Sequence, residues 1–204
     1  LWSETRIFWK DCSTKRICGY VPVITSFRSV CLRADALEQD RADKKRYPAV
    51  NPIDSYSKYL EYPEFADYIK QRINDQWIPK VLKLKTRMQR GKEIAEQINI
   101  LGDDGVPVDY HETFWKSEII DFVILQQDAF DEVDAVTSLE RQEEILDLIT
   151  EICEIDFKFD HFQDVVDYFK KMINVCKQMN YSVYKSEQYN GYVAQIREML
   201  AAHK

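Results

Sequence analysis

Residues 160–180, DHFQDVVDYFKKMINVCKQMN, give the clearest indication of the fold class of this chain. Its large apolar residues recur every three or four positions, which places them on one face of an α-helix. An apolar face of this length has to be buried against other helices. The stretch therefore predicts a helix that packs into a helical bundle. The residues on the apolar face are Phe162, Val165, Phe169, Ile173 and Cys176.

Stripes of the same period occur on both sides of this helix. We predict helices near 110–127 and 138–157, because each follows a pattern that resembles a capping box. A last helix has an apolar stripe of its own. Its members are Tyr189, Val193, Ile196 and Leu200.

Prolines and glycines suggest where the helices on the N-terminal side begin and end. Pro63 suits the first position of a helix, because that position needs no backbone N–H. Pro79 is expected to mark a break between two helices, and Gly91 to precede a shorter helix that ends at Leu101.

The first 59 residues have a different character. Residues 17–27, ICGYVPVITSF, are rich in β-branched and aromatic side chains and predict an edge strand or an extended segment. From Asp35 the pattern becomes helical, and Pro48 and Pro52 end it in a structured loop at 47–59. We therefore predict a mostly α fold with a short irregular or β-containing N-terminal segment. Its parts are an unassigned segment 1–34, a helix and Pro-rich connecting loop 35–59, and a C-terminal helical bundle 60–204.

The amino-acid composition limits which classes of function this chain can have. The chain has 204 residues, 31% of them charged, and a net charge of −7. Residues 1–48 hold 10 basic against 6 acidic side chains, whereas residues 49–204 hold 18 against 29. An acidic body argues against nucleic-acid binding and suits either a basic protein partner or solubility alone. No apolar run approaches the roughly 20 residues of a membrane span, and no signal peptide is recognisable.

The cysteines and histidines do not suggest a disulfide framework or a metal site. The five cysteines form no C-x-x-C pair, which is typical of reduced cytosolic thiols. The three histidines are far apart in sequence, so we expect no bound metal. These residues are Cys12, Cys18, Cys31, Cys153, Cys176, His111, His161 and His203.

Motifs of self-sufficient active sites are absent from the sequence. It contains no phosphate-binding G-x-x-x-x-G-K-[ST], no dinucleotide G-x-G-x-x-G, no H-E-x-x-H and no G-x-S-x-G. The acidic run at 102–109 has the composition of a solvated turn. Six acidic residues on the predicted helix 138–157 favour a solvated face over a binding site. They are Glu140, Glu143, Glu144, Asp147, Glu151 and Glu154.

Three segments occur together in a known family. They are RADKKRYPAVNPIDSYSKY (41–59), EIAEQINILGDDGVP (93–107) and DFVILQQDAFDEVDA (121–135). Their order and intervals resemble those of the catalytic alpha chain of V-type rotary ATPases. The resemblance covers about residues 37–204, whereas residues 1–34 do not share it.

The resemblance implies a helical bundle that lies below the nucleotide-binding domain of the alpha chain. The phosphate-binding loop, the catalytic carboxylate and the magnesium ligands would belong to that other domain. We therefore expect ATP or ADP as the ligand, with magnesium held outside this chain, and no hydrolysis by this chain alone. The implied partners are the B subunits of the hexameric head and the rotor subunit of the central stalk. The location would be cytoplasmic and peripheral to the membrane, in a complex that transports ions.

The resemblance also implies an adenine pocket. In the family, the aromatic residue before Pro-Ala and the aromatic residue after Leu-Gln-Gln-x-Ala line the pocket for the base. Asp128 stands where many relatives have Asn. The alternative is that Phe130 plugs the end of the bundle and that Tyr47 packs on Pro48. The residues expected beside the base are Tyr47, Gln127, Asp128, Ala129 and Phe130.

The acidic turn has a counterpart in the family as well. By resemblance, the helix–turn–helix at 99–112 is the lever that pushes on the rotor shaft and couples nucleotide state to rotation. A free-standing helical adaptor that binds partner helices is the alternative function from another class. Under the lever hypothesis, the residues that face basic rotor helices are Asp103, Asp104, Asp109 and Glu112.

Overall fold

A computed structural model describes residues 33–57 and 62–203 of the chain. The strand predicted at 17–27 lies outside the described residues. The described part begins with strand β1 (Arg33–Leu37), helix α1 (Gln39–Asp43) and strand β2 (Val50–Ser57). The two strands pair antiparallel, with an irregularity between Ala34 and Ala36.

This hairpin corrects the structure predicted for residues 35–59. The helix expected from Asp35 is confined to α1, and most of the expected loop is β2. Asn51 shapes the start of β2, because its side-chain oxygen accepts hydrogen bonds from the amides of Ile53 and Asp54 at 2.8 and 3.0 Å. The segment Arg33–Leu37 has no strong strand composition. Pairing with a distant strand overrides its local preference.

The rest of the described chain is helical, as predicted. The helices pack into a bundle in which α4 lies between α3 and α6. None of them is long and apolar enough to cross a membrane within the part of the chain that the structure describes. Their bounds are α2 Pro63–Arg72, α3 Trp77–Leu101, α4 Val108–Ile120, α5 Leu139–Glu154, α6 Phe162–Tyr181 and α7 Glu187–Ala201.

Helix α3 is longer than predicted. Pro79 is its third residue, where the backbone N–H has no partner within the helix, so the proline fits without breaking it. The chain instead leaves the helical conformation after Arg72, before α3 begins. Gly91 lies within α3, where the helix crosses α4. A Cβ atom at this position would stand 2.2 Å from the Cβ of Ser117.

The apolar stripe of α6 is confirmed as the centre of the bundle. Four of its five residues are buried and Phe162 is half-buried. Two serines cap the helices on either side of α6. Ser138 accepts a hydrogen bond from the amide of Arg141, and Ser186 accepts one from the amide of Tyr189. The same core cluster includes deeply buried apolar residues from the other helices, namely Leu84, Ile119, Ile120, Ile149, Ile152, Ile196 and Leu200.

The acidic side chains of α5 lie at the surface, and several have partners there. Lys80 and Lys83 of α3 form ion pairs with Asp147 and Glu154. Tyr184 donates a hydrogen bond to Glu144 at 3.0 Å. Exposed pairs of this kind contribute up to about 1 kcal/mol each.

Candidate functional site

Two loops that are far apart in sequence meet at the end of α4. Helix α4 continues into a π-helical turn, Asp121–Leu125, and the chain then leaves the bundle. The backbone amide of Gln127 donates a hydrogen bond to the carbonyl oxygen of Tyr47 at 2.9 Å. Tyr47 precedes Pro48 in a cis peptide bond, between α1 and β2. The structure therefore brings together the two segments that the sequence assigned to one pocket.

The loop after Gln127 is held by its own side chains. The side-chain amide of Gln127 donates to the carbonyl oxygen of Asp134 at 2.7 Å. The backbone amide of Asp128 donates to the carboxylate of Asp134 at 2.6 Å, and the amide of Phe130 donates to the carboxylate of Asp128 at 2.9 Å. Asp131 accepts a hydrogen bond from the amide of Asp134 at 2.8 Å. These hydrogen bonds within the loop give it a defined shape without a bound ligand or partner protein.

Phe130 is presented to solvent by this loop. Its side chain is 99% exposed, and that of Tyr47 is 54% exposed. Ala129 is exposed, whereas Gln127 and Asp128 are half-buried. The alternative that Phe130 plugs the end of the bundle is wrong, because none of the described helices covers the ring. An exposed aromatic ring on a well-bonded loop is a flat surface on which another flat ring can stack.

The loop lies beside the C-terminal end of α6. Burial raises the pKa of the Tyr181 hydroxyl, and the negative charges of Asp128, Asp134 and Asp131 raise it further. This surface is therefore both aromatic and acidic. A neutral, hydrogen-bonding ring suits it better than a phosphate group, because the carboxylates repel anions.

A cluster of four charged side chains stands beneath the two loops. Arg46 donates to both carboxylate oxygens of Glu118 at 2.6 and 3.1 Å and to Asp121 at 2.7 Å. Arg41 contacts the other oxygen of Asp121 at 2.6 Å. Burial alone would lower the pKa of Arg46, but the hydrogen bonds and charges of Glu118 and Asp121 outweigh it and raise that pKa. This cluster anchors the hairpin to the end of α4.

This cluster was not predicted from the sequence. A signal was present, because Asp121 interrupts the apolar run IIDFVIL at 119–125. A carboxylate at such a place is buried and therefore needs a cationic partner. The sequence alone does not show which of the many basic residues that partner is.

Two cations lie close to the ring of Phe122, in the π-helical turn. The guanidinium of Arg46 is 4.4 Å from the ring centroid, and the ammonium of Lys177 is 4.1 Å from it. Burial lowers the pKa of Lys177, the charge of Arg46 lowers it further, and Asp121 opposes both effects. The face of an aromatic ring attracts each of these two cations.

The acidic turn lies between α3 and α4. Asp103–Gly105 forms a single 3-10 turn, and the carboxylates of Asp103, Asp104 and Asp109 are exposed. Gly102 opens the turn with a φ of +79°, a conformation that other residues rarely adopt. The buried ring of His111 donates to the carbonyl oxygen of Asp103 at 2.9 Å and holds the turn against α4. Residues of the last turn of α3 add an apolar surface, since Ile100 is 81% and Leu101 is 61% exposed.

Glu112 does not share this surface, which corrects its place among the partner-facing residues. Its side chain is buried in α4 and forms an ion pair with Lys116 one turn later. It also accepts a hydrogen bond from the amide of Phe157 at 3.3 Å, while Lys116 donates to the carbonyl oxygen of Ile155. The carboxylate therefore fastens α4 to the connection between α5 and α6 and is not available to a partner.

The described residues hold no group of three or more His, Cys, Asp or Glu side chains that could bind a metal ion.

Comparison with known proteins gives consistent relatives. No protein-family model matches the chain. It is 32% identical over 182 residues to the V-type ATP synthase alpha chain of Chlamydia caviae and 33% identical over 183 residues to that of Chlamydia pneumoniae. Each match covers 85% of this chain and 30% of the relative. The alpha chain of Borrelia duttonii is 29% identical over 186 residues, which is 90% of this chain.

The chain thus spans about 30% of the length of the curated relatives it matches, and it corresponds to their C-terminal part. A solved ATP synthase subunit, NeqB from Nanoarcheaum equitans, is 20% identical with a TM-score of 0.47. That match covers 67% of this chain and 30% of the solved chain. A likeness at this level adds nothing to the assignment.

Proposed function

The chain belongs to the family of V-type ATP synthase alpha chains, of which it is the C-terminal part, and we propose that it supplies the adenine contact and the rotor lever of such an alpha chain. The observation that carries this proposal is the hydrogen bond between Gln127 and Tyr47. It joins the two segments that would share one base. The family membership favours this function over that of a free-standing adaptor.

The adenine contact is made by the loop surface. The ring of Phe130 stacks on the base, and the ring of Tyr47 borders it from the hairpin. Gln127, Asp128 and Ala129 form the edge of the same surface. Stacking of an aromatic ring on a base contributes roughly 1–3 kcal/mol, which holds the nucleotide without a contact to its phosphates. The ligand is ATP or ADP, and the nucleotide-binding domain holds its magnesium ion.

The lever is the tip of the α3–α4 pair. Asp103, Asp104 and Asp109 present negative charge, and Ile100 and Leu101 present an apolar surface beside it. The partner is a helical shaft with basic and apolar residues, which corresponds to the rotor subunit of the central stalk. Exposed charges of this kind increase the rate of association with the rotor and help to align the two surfaces. They contribute less to the affinity. The torque itself comes from steric push.

The proposed setting is the head of an ion-transporting V-type ATPase. There the alpha chain alternates with B subunits in a hexameric ring on the cytoplasmic side of the membrane. Nucleotide state changes the position of this bundle, and the acidic turn passes the change to the rotor.

Replacement of Phe130 tests the adenine contact. In the full alpha chain assembled in its complex, Phe130→Ala is expected to weaken ADP binding about 5- to 150-fold, since the stacking contribution of roughly 1–3 kcal/mol is lost. The melting temperature should not change, because the ring is 99% exposed. Val136→Ala is the matched control, as it removes another exposed apolar side chain from the same loop. An unchanged ADP affinity in the Phe130 variant would contradict the proposal.

A further inference from the structure

Helix α4 connects the two proposed sites. It begins at Val108, three residues after the acidic turn, and ends at Ile120, next to the π-helical turn. Thirteen helical residues at a rise of 1.5 Å per residue span about 20 Å. A rigid body of this length can carry a change of tilt from one end to the other.

Helix α4 is packed closely against α3. Gly91 and Ser117 bring the two helices so close that even a methyl group has no room between them. The middle of α4 is fastened to the connection after α5 by the buried pair of Glu112 and Lys116. A relative displacement of these elements would have to open a tightly packed contact or a buried ion pair.

The end of α4 is fastened to the residue before Tyr47. The side chain of Arg46 holds Glu118, in the last turn of α4, and Asp121, just beyond it. The amide of Arg46 also donates to the carbonyl oxygen of Arg41 at 2.7 Å. Tyr47 is therefore fixed on its N-terminal side by Arg46, and its own carbonyl oxygen is held by Gln127.

The guanidinium of Arg46 binds through a planar fork of several N–H donors, a geometry that lysine does not reproduce. Its guanidinium donates to both oxygens of Glu118 and to a third oxygen on Asp121, while its face lies over Phe122. A planar group with several fixed donors sets the orientation as well as the distance of what it binds. The side chain of Asp121 is 5% exposed, so water does not replace a lost contact there.

We propose that Arg46 is a positioning residue for the adenine contact, because its clamp on Glu118 and Asp121 fixes, relative to α4, the backbone that carries the Tyr47 ring. The affinity for the nucleotide and the tilt of α4 are then linked through the side chain of Arg46. The inference rests on the proposed function, since it needs Tyr47 and Phe130 to touch the base. It adds a residue that touches neither base nor rotor.

Substitution of Arg46 in the full alpha chain, assembled in its complex, tests this inference. Arg46→Gln is expected to weaken ADP binding about tenfold, a part of the loss expected for a missing stacking contact. Binding of inorganic pyrophosphate, which has no base, should not change. The KM for ATP should rise by a similar factor with little change in kcat, because the contact to the base is the same in the ground state and the transition state.

Two further variants keep the test decisive if Arg46→Gln folds poorly. Glu118→Gln weakens the clamp and leaves Asp121 paired with both arginines, so it should give a smaller loss of ADP affinity with the same selectivity for the base. Arg46→Lys should give an intermediate loss, since it retains a charge but not the fork. Arg90→Gln is the matched control. Its exposed guanidinium pairs with Glu93 within α3 and lies over the ring of Tyr110.

The outcomes separate the inference from the proposed function. Equal losses of ADP and pyrophosphate affinity in the Glu118 and Arg46 variants would overturn the positioning role, and so would an unchanged ADP affinity in both. If Phe130→Ala weakens ADP binding while the clamp variants do not, only the inference fails. If Phe130→Ala also leaves ADP binding unchanged, the proposed function fails with it.

Discussion

The backbone amide of Gln127 donates a hydrogen bond to the carbonyl oxygen of Tyr47 at 2.9 Å. This bond connects a loop that follows α4 with the cis-proline turn that precedes β2. Had these segments lain on opposite sides of the bundle, no single base could touch both of them. Their backbone contact makes the five proposed adenine contacts neighbours, and it leaves the Phe130 ring free to meet a ligand.

Neutralisation of the acidic turn tests the electrostatic part of the lever. Replacing Asp103, Asp104 and Asp109 together with Asn should slow association with the central stalk by roughly tenfold at low ionic strength, because charge complementarity speeds encounter. The difference should shrink at high salt, where the charges are screened. Stopped-flow assembly kinetics at two salt concentrations measure this effect.

The control for this variant removes three exposed carboxylates from other surfaces. Its association rate should match that of the unchanged protein, and equal slowing in both variants would mean that only net charge matters. The control residues are Glu64, Asp67 and Glu198.

The close approach of α3 and α4 makes a prediction about Gly91. Gly91→Ala should lower the free energy of unfolding by about 1–3 kcal/mol, because the added Cβ would stand 2.2 Å from that of Ser117. Denaturant unfolding measures this loss. Gly191→Ala in α7 is the control, because its added Cβ would meet no atom within 4 Å apart from the adjacent backbone of its own helix. That variant should instead gain up to about 1 kcal/mol from helix propensity.

Two ion pairs of similar chemistry should differ in their effect on stability. Glu112→Gln should cost about 3–5 kcal/mol, since it leaves the buried charge of Lys116 without its partner. Glu154→Gln should cost up to about 1 kcal/mol, because its pair with Lys83 is half-exposed. Thermal unfolding of both variants gives the comparison. Equal losses would argue against the burial of Glu112.

Burial of Cys153 predicts a dependence of stability on pH. Desolvation raises the pKa of its thiol from an ordinary value of 9.0 to about 11. The unfolded chain therefore loses the thiol proton at a lower pH than the folded chain does. The contribution is complete below pH 9.0 and is lost as the pH rises toward about 11.

Denaturant unfolding between these pH values measures the effect. The unchanged protein should lose up to about 1.4 kcal/mol per pH unit more than Cys153→Ala, because the variant has no proton to release at this position. The cavity left by the substitution shifts the stability of the variant by a constant and does not alter the slope. Identical slopes would contradict the raised pKa.

Periodicity predicted the helices well because it is a local property. The stripe from Phe162 to Cys176 needs only its own sequence to define a buried face, and α6 follows it closely. The prolines and glycines were less informative about where the helices end. Pro79 and Gly91 look like helix breaks in sequence, but one lies in a first turn that tolerates proline and the other in a helix crossing that requires glycine.

The candidate site was predictable only in part. The resemblance of three segments selected Tyr47 and Phe130, and the exposed ring of Phe130 is consistent with that choice. Spacing could not separate Glu112 from Asp109, since both are acidic residues near the start of one helix. Their burial depends on which residues pack against each face of α4, and the sequence pattern does not show this.

A mostly helical bundle, its apolar faces and its family can be predicted from the sequence, because side-chain periodicity and motif order are properties of the linear chain. The strand at residues 33–37, the burial of Glu112 and the contact of Arg46 with the end of α4 are visible only in the folded molecule. Each of these depends on a partner distant in sequence. Each hydrogen bond, ion pair or buried contact of this kind needs two segments that are distant in sequence, and only folding brings them together.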